Sequence, residues 1–257
     1  MSETKTIGLA LSGGGARGIA HLGVIKALEE LGVKINFLSG TSAGAIIAGL
    51  YAYGHKVEDI FNVLLELKTF KFLQPAMSTK GLLKTEVMYK LLKNHLPDNS
   101  FESLKIPTYI AATNLRLGET KYFNEGDLVL AICASSCIPV LFNPVEIDKE
   151  LYIDGGILNN LPIEPIRECS DLVIASHSNP IDRDFAPKNF RFVMERALML
   201  AITRNVYERR PACDFFIEPK GLEPFKVMDI NKAQEIFEIG YTEALKQFEE
   251  QKLLEQI

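Results

Sequence analysis

Thr6-Ile-Gly-Leu-Ala-Leu-Ser12 runs directly into Gly13-Gly-Gly-Ala-Arg-Gly18. A short uninterrupted apolar run that ends in glycines reads as a strand buried on both faces. From Gly18 to Leu31, apolar residues recur at Ile19, Leu22, Gly23, Ile25, Leu28 and Leu31, with Lys26, Glu29 and Glu30 opposite. That spacing predicts an amphipathic helix stopped by Gly32. The order then repeats: Lys34–Ser39 reads as a second strand, Gly40-Thr-Ser-Ala-Gly44 as a turn, and the apolar residues through Tyr53 as a helix. Strand, glycine turn and helix, twice in succession, is the pattern of a parallel sheet with crossover helices. The expected fold class is therefore α/β, a three-layer α/β/α arrangement around a mainly parallel central sheet.

Outward from this start, strands are expected at Thr108–Ala112, Thr120–Phe123, Leu151–Ile153, Leu172–His177 and Phe215–Glu218. Helices are expected at Val57–Leu67, Thr85–Leu96, Asn189–Arg209 and Ala233–Leu254. The last carries Ala233, Ile236, Phe237, Tyr241, Ala244, Leu245 and Phe248 on one face. With 257 residues and 47% hydrophobic content, the chain can bury about three-quarters of its extended surface, enough for one full core. One domain over residues 1–257 is expected, with a motif core at about 6–165 and helices 189–209 and 233–254 packed on it.

Charge narrows the partners. The formal balance is 28 Lys+Arg against 33 Asp+Glu, a net charge of −5, which argues against whole-protein attraction to nucleic acid. Met1-Ser-Glu-Thr-Lys-Thr6 lacks the basic and apolar regions of a secretory leader, and the apolar run Ala43–Tyr53 is too short to span a bilayer. A cytoplasmic protein is expected on these grounds. Cys133, Cys137, Cys169 and Cys213 show neither a CxxC pair nor zinc-ligand spacing, so they read as buried free thiols, with no metal and no cofactor implied.

The first glycine cluster matches G-x-G-x-x-G, yet no carboxylate ends the second strand to hold a ribose, and no Gly-Lys-Ser/Thr follows to make a Walker loop. What remains is general: consecutive glycines let backbone N–H groups approach an anion, and the helix behind adds its positive end. The second turn, Gly40-Thr-Ser-Ala-Gly44, has the form of a nucleophile elbow, which would place the Ser42 hydroxyl beyond the end of the sheet. Both turns lie at the C-terminal ends of strands, so the N–H of Ala43 and those of Gly13, Gly14 and Gly15 could converge on one oxyanion. Nucleophile plus anion cradle points to acyl transfer. For the base, His21, His55 and His95 are poorly placed. His177, at a strand end, and Asp154, in Leu151-Tyr-Ile-Asp-Gly-Gly156, are the two candidates.

Four elements in order then carry a resemblance: Leu11-Ser-Gly-Gly-Gly-Ala-Arg-Gly18, Gly40-Thr-Ser-Ala-Gly44, Ala134-Ser-Ser-Cys-Ile-Pro139 and Asp154-Gly-Gly156. Over roughly residues 6–165 the sequence resembles the patatin-like phospholipases, acyl hydrolases that work with a Ser–Asp dyad. The resemblance implies Ser42 as nucleophile and Asp154 as its activator. It also implies Gly13, Gly14 and Gly15 as the oxyanion loop, with Arg17 as the basic residue beside it, and Gly18, Gly40, Gly44, Gly155 and Gly156 as motif glycines. The implied substrate is a fatty-acyl ester of a lipid. A carboxylate needs desolvation to serve as such a base, and Ile153, Leu158, Leu161, Val140 and Leu141 could supply an apolar wall. Two other readings stand beside it: a Ser–His–Asp esterase using His177, and a lipid-binding regulatory module without catalysis.

One segment departs from the overall charge. From Lys68 to Lys93 there are six lysines (Lys68, Lys71, Lys80, Lys84, Lys90, Lys93) and one acid, Glu86, interleaved with Phe70, Phe72, Leu73 and Met77. Two readings stand for it: a lid or docking face for anionic lipid, or a solvated helix face and loop.

Overall fold

The computed structural model of the protein describes residues 5–69, 85–139, 141–183, 186 and 190–257. The opening strand is β1 (Ile7–Leu11), and all five of its residues are buried, as an unbroken apolar run requires. Residues Gly15–Ile19 form a 3₁₀ turn before the helix proper, α1 (Ala20–Glu30). Next come β2 (Phe37–Thr41), α2 (Ala43–Tyr53), α3 (Val57–Thr69), α4 (Thr85–His95), β3 (Thr108–Asn114) and β4 (Glu119–Phe123). The second strand starts three residues later than its expected start at Lys34. Asn36 instead closes on the first residue of β1, its N–H donating to Ile7 O at 2.8 Å and its Oδ1 accepting from Ile7 N–H at 2.9 Å.

The remaining elements are α5 (Leu128–Ser135), β5 (Val145–Ile147), β6 (Glu150–Asp154), α6 (Glu164–Arg167), β7 (Leu172–Ser176), α7 (Phe190–Arg209), β8 (Phe215–Ile217) and α8 (Ala233–Glu250). Three of them, α5, β5 and α6, have no counterpart in the sequence expectations. Helix α5 (LVLAICAS) is apolar on every side and almost wholly buried, so it carries no amphipathic period to read. Asp127 caps it, its Oδ1 accepting the Leu130 N–H at 2.7 Å. Strands β5 and β6 form a hairpin whose turn residues, Asp148 and Lys149, both have positive φ.

The sheet runs β5-β6-β3-β2-β1-β7-β8, with β4 also paired to β3. Strands β3, β2, β1, β7 and β8 are mutually parallel, and β4, β5 and β6 are antiparallel additions. Alternate residues face two cores. Leu9, Leu11 and Ile174 join the larger one with α1–α5 and α8, while Ala10, Val173 and Ala175 join a smaller one with Ile166 of α6 and Val206 of α7. Helices α1 and α8 pack at backbone distance: a Cβ on Gly240 would stand 2.2 Å from Ala20 O, and one on Gly23 would stand 2.3 Å from Tyr241 N.

The pairing of β3 positions the site. One edge of β3 is taken by β4 along Ile110–Asn114. The other edge is shared: β2 occupies it up to Ala111, opposite Thr41, and β6 occupies it from Ala112, opposite Asp154. Strands β2 and β6 run toward each other on one track, so their C-terminal ends meet head on. Residues more than a hundred positions apart in sequence become neighbours by this pairing alone.

Candidate active site

Ser42 follows β2 and caps α2 with φ 54° and ψ −119°, a backbone conformation that non-glycine residues rarely adopt. The flanking glycines allow it. A Cβ on Gly40 would lie 2.4 Å from Gly44 O, and one on Gly44 would lie 2.4 Å from Leu11 O and 2.7 Å from Ser12 O. The elbow is therefore folded tightly on itself and pressed against the end of β1. Its N–H is held by Ser135 Oγ at 2.9 Å, and Ser135 in turn donates to Ala111 O at 2.6 Å.

The Ser42 hydroxyl donates directly to Asp154 Oδ2 at 2.7 Å. Asp154 ends β6; its N–H donates to Cys137 O at 2.9 Å, and its Oδ1 accepts from Gly156 N–H at 2.8 Å. The segment Ala134–Pro139 thus grips both members of the pair, Ser42 through Ser135 and Asp154 through Cys137. Both side chains are buried. Burial pushes the Asp154 carboxyl up to about 6, against the opposing pull of the hydrogen bonds from Ser42 and Gly156. Ile153 and Leu161 are buried and Leu141 and Leu158 half-buried, whereas Val140 lies outside the described residues.

The glycine loop faces the elbow. A Cβ on Gly13 would stand 3.1 Å from Ser42 Cβ, and one on Gly18 would stand 2.6 Å from Ala43 Cβ. Its donors divide into two groups. Gly13 N–H is spent on Asn160 O at 3.2 Å, and Ala16 N–H on Val227 O at 2.7 Å. Among the described residues, the N–H groups of Gly14, Gly15 and Ala43 have no acceptor. Arg17 does not join the pair: Nε donates to Phe225 O at 2.6 Å and Nη2 to Glu223 O at 3.3 Å. Its guanidinium buttresses the loop with the C-terminal third, which the sequence motifs left out. Gly155 is required for close approach, since a Cβ there would stand 2.2 Å from Ala111 O.

The histidines are elsewhere. His177 is fully buried beside Tyr207 and Phe216, with Nε2 3.7 Å from Glu218 Oε1. It follows β7, and β1 stands between β7 and β2, so it reaches neither Ser42 nor Asp154. Burial lowers its pKa to about 3. His21 is buried beneath the glycine loop: Nε2 lies 2.9 Å from Ser12 O, an acceptor only, so Nε2 carries the proton and Nδ1 accepts from Ser176 Oγ at 2.8 Å. Burial lowers its pKa to about 4, so the ring is neutral at pH 7. His55 and His95 contact each other, and His95 pairs with Glu66.

Of the basic segment, Lys68 lies on α3 and Lys90 and Lys93 on α4; Lys71, Lys80 and Lys84, with Phe70, Phe72, Leu73 and Met77, lie outside the described residues. Cys133 and Cys137 are buried free thiols, but Cys169 is exposed and Cys213 half-buried, contrary to the expectation of four buried thiols. Among the described residues no helix is long and apolar enough to cross a membrane.

Residues 9–167 match the family model for patatin-like phospholipase. The chain belongs to that family. It is 38% identical over 181 residues to an uncharacterised NTE family protein of Mycobacterium tuberculosis, covering 69% of this chain and 50% of that one. It is 25% identical over 281 residues to a lysophospholipase, nte1, of Aspergillus niger, covering 92% of this chain and 18% of the relative. The chain thus spans about half the length of the mycobacterial relative it matches. Among solved structures it resembles VipD of Legionella pneumophila with a TM-score of 0.64 at 16% identity, covering 97% of this chain and 67% of that one. At that identity the likeness concerns the fold alone.

Proposed function

We propose that this patatin-like protein is a serine acyl hydrolase that cleaves fatty-acyl esters of phospholipids or lysophospholipids with a Ser42–Asp154 dyad. The observation that carries the reading is the direct 2.7 Å hydrogen bond from the Ser42 hydroxyl to a buried carboxylate. Asp154 takes the hydroxyl proton as Ser42 Oγ bonds to the ester carbonyl carbon, and the carbonyl π pair moves to oxygen. The N–H groups of Gly14, Gly15 and Ala43 stabilise that oxyanion. Each such donor contributes about 3–4 kcal/mol where it acts only on the transition state. Collapse breaks the ester C–O bond, and the alcohol leaves with the proton from Asp154. Water, deprotonated by Asp154, then attacks the acyl-enzyme, and the fatty acid departs as Ser42 recovers its proton. The lysophospholipase name of the Aspergillus relative supports the lipid class.

A fluorophosphonate probe tests the nucleophile. Stoichiometric labelling of Ser42, absent in Ser42→Ala together with ester hydrolysis, is expected; folded protein that takes no label overturns the reading. Contact with a lipid assembly belongs to the same proposal. Phe190, Val193, Met194 and Leu198 stand exposed on α7, whose Asn205 donates to Gly156 O, two residues after Asp154, at 3.3 Å. Met194→Glu with Leu198→Glu is expected to lower turnover of vesicle lipid while sparing a soluble short-chain ester. Equal effects on both substrates would remove α7 from the contact.

A further inference from the structure

The carbonyl oxygen of Gly13 is surrounded by donors to a degree that its two lone pairs cannot satisfy at once. Asn179 Nδ2 lies at 2.5 Å, Ser12 Oγ at 3.1 Å, Ser178 Oγ at 3.3 Å and Asn160 Nδ2 at 3.4 Å. All four side chains are buried. The two hydroxyls can rotate toward other partners: Ser12 Oγ also accepts from Ser178 N–H at 3.0 Å and lies 3.3 Å from Ser178 Oγ. The two amide nitrogens can only donate, so they are the fixed part of the arrangement.

Asn160 is itself held from several sides. Its backbone O accepts from Gly13 N–H, and its N–H donates to Asn205 Oδ1 at 3.1 Å. Its side-chain oxygen fills the gap between the glycine loop and the Asp154 turn, 2.5 Å from where a Cβ of Gly13 would stand and 2.8 Å from where one of Gly156 would stand. One asparagine therefore touches the loop that would hold the oxyanion and the turn that carries the base.

A trans peptide places its C=O and the following N–H on opposite sides. Fixing Gly13 O inside this buried network therefore fixes the Gly14 N–H pointing away from it, where no described group accepts it. Glycines on both sides of the peptide leave its rotation otherwise unopposed. We propose that Asn160 and Asn179, by clamping the Gly13 carbonyl, hold the Gly14 N–H at the oxyanion position, and so are positioning residues for acyl transfer. The proposal rests on the Ser42–Asp154 reading of the site.

Asn160→Asp and Asn179→Asp keep shape and volume but replace the amide donor by a carboxylate oxygen that repels the Gly13 carbonyl. Asn160→Ala and Asn179→Ala remove the donor without adding charge, and they carry the test should either Asp variant fail to fold. Thermal unfolding identifies the folded variants. Expected in each is a fall in kcat of roughly 10- to 100-fold with KM within about threefold, somewhat less than direct loss of an oxyanion donor. Inhibition by an alkyl trifluoromethyl ketone, whose adduct with Ser42 carries the oxyanion, is expected to weaken by the same factor as kcat/KM. Affinity for a non-hydrolysable ether lysolipid is expected to stay unchanged. Folded variants with kcat within threefold of wild type, or with ketone inhibition undiminished, overturn the clamp and leave the dyad standing. Hydrolysis that survives in the folded Ser42→Ala variant overturns the dyad and the clamp together.

Discussion

The turns after β1 and β2 occupy equivalent places on neighbouring parallel strands, both are rich in glycine, and both lead into helices. They present opposite kinds of group. After β2, the useful group is a side chain: Ser42 adopts a positive φ, its N–H is tied to Ser135, and its hydroxyl projects to Asp154. After β1, the side chains are absent, the Gly13 carbonyl is clamped inward, and two N–H groups are left without an acceptor among the described residues. A glycine turn on a parallel sheet can therefore expose either a side chain or a backbone dipole, and the surrounding hydrogen bonds choose which. The two turns also touch, since Gly44 packs on the carbonyls of Leu11 and Ser12.

The largest effect should come from removing what the second turn presents. Ser42→Ala and Asp154→Asn are each expected to cut kcat at least ~10³-fold without altering the first turn, measured as steady-state hydrolysis of an acyl ester. In wild type, kcat/KM should rise with pH through an ionisation near 6, because the proposed dyad needs Asp154 as carboxylate. Stability should move the other way. A carboxyl whose pKa is raised from 3.8 to about 6 in the folded state favours folding when protonated, and that contribution is lost as pH rises through 6. Asp154→Asn should therefore gain stability over wild type between pH 4 and pH 8, by up to about 3 kcal/mol at 1.36 kcal/mol per pH unit. A denaturant-unfolding series at several pH values measures it, and a constant difference would contradict the buried ionised carboxylate.

Next in size is the contact between the turns. Gly44→Ala would drive a methyl into backbone rather than into a side chain that could yield. A loss of about 1–3 kcal/mol, with kcat lowered because both turns shift, is expected from chemical unfolding and kinetics. If Gly44→Ala is neutral, the turns are not mechanically coupled. The smallest effect should fall on His177, two strands from the dyad. His177→Ala is expected to keep kcat within about threefold, while a Ser–His–Asp mechanism requires a loss near that of Ser42→Ala.

The first sixty residues were legible because their information is local. Apolar runs, helical periods and glycine punctuation mark β1, α1, β2 and α2, and the positive φ of Ser42 follows from the elbow pattern itself. Helix α5 was illegible because an all-apolar segment has no period, and β5 because three residues carry too little pattern. The polar frame of the site was illegible for a different reason. Asn160, Asn179 and Asn205 are ordinary residues until a carbonyl or an N–H from a distant segment stands within 3.5 Å of them.

What the sequence determined by itself is therefore the identity of the two turns, the ordered motifs of the family and the alternation that builds a parallel sheet. Each of these is written in residues a few positions apart. Only the folded chain shows how Asp154 comes within hydrogen-bond reach of Ser42 while His177 does not, that Gly13 spends its N–H while Gly14 keeps its own, and that Arg17 turns to the carbonyls of Glu223 and Phe225. The physical reason is the shared edge of β3, where β2 and β6 meet end to end. Pairing across a hundred residues is a property of the assembled sheet, and no local pattern encodes it.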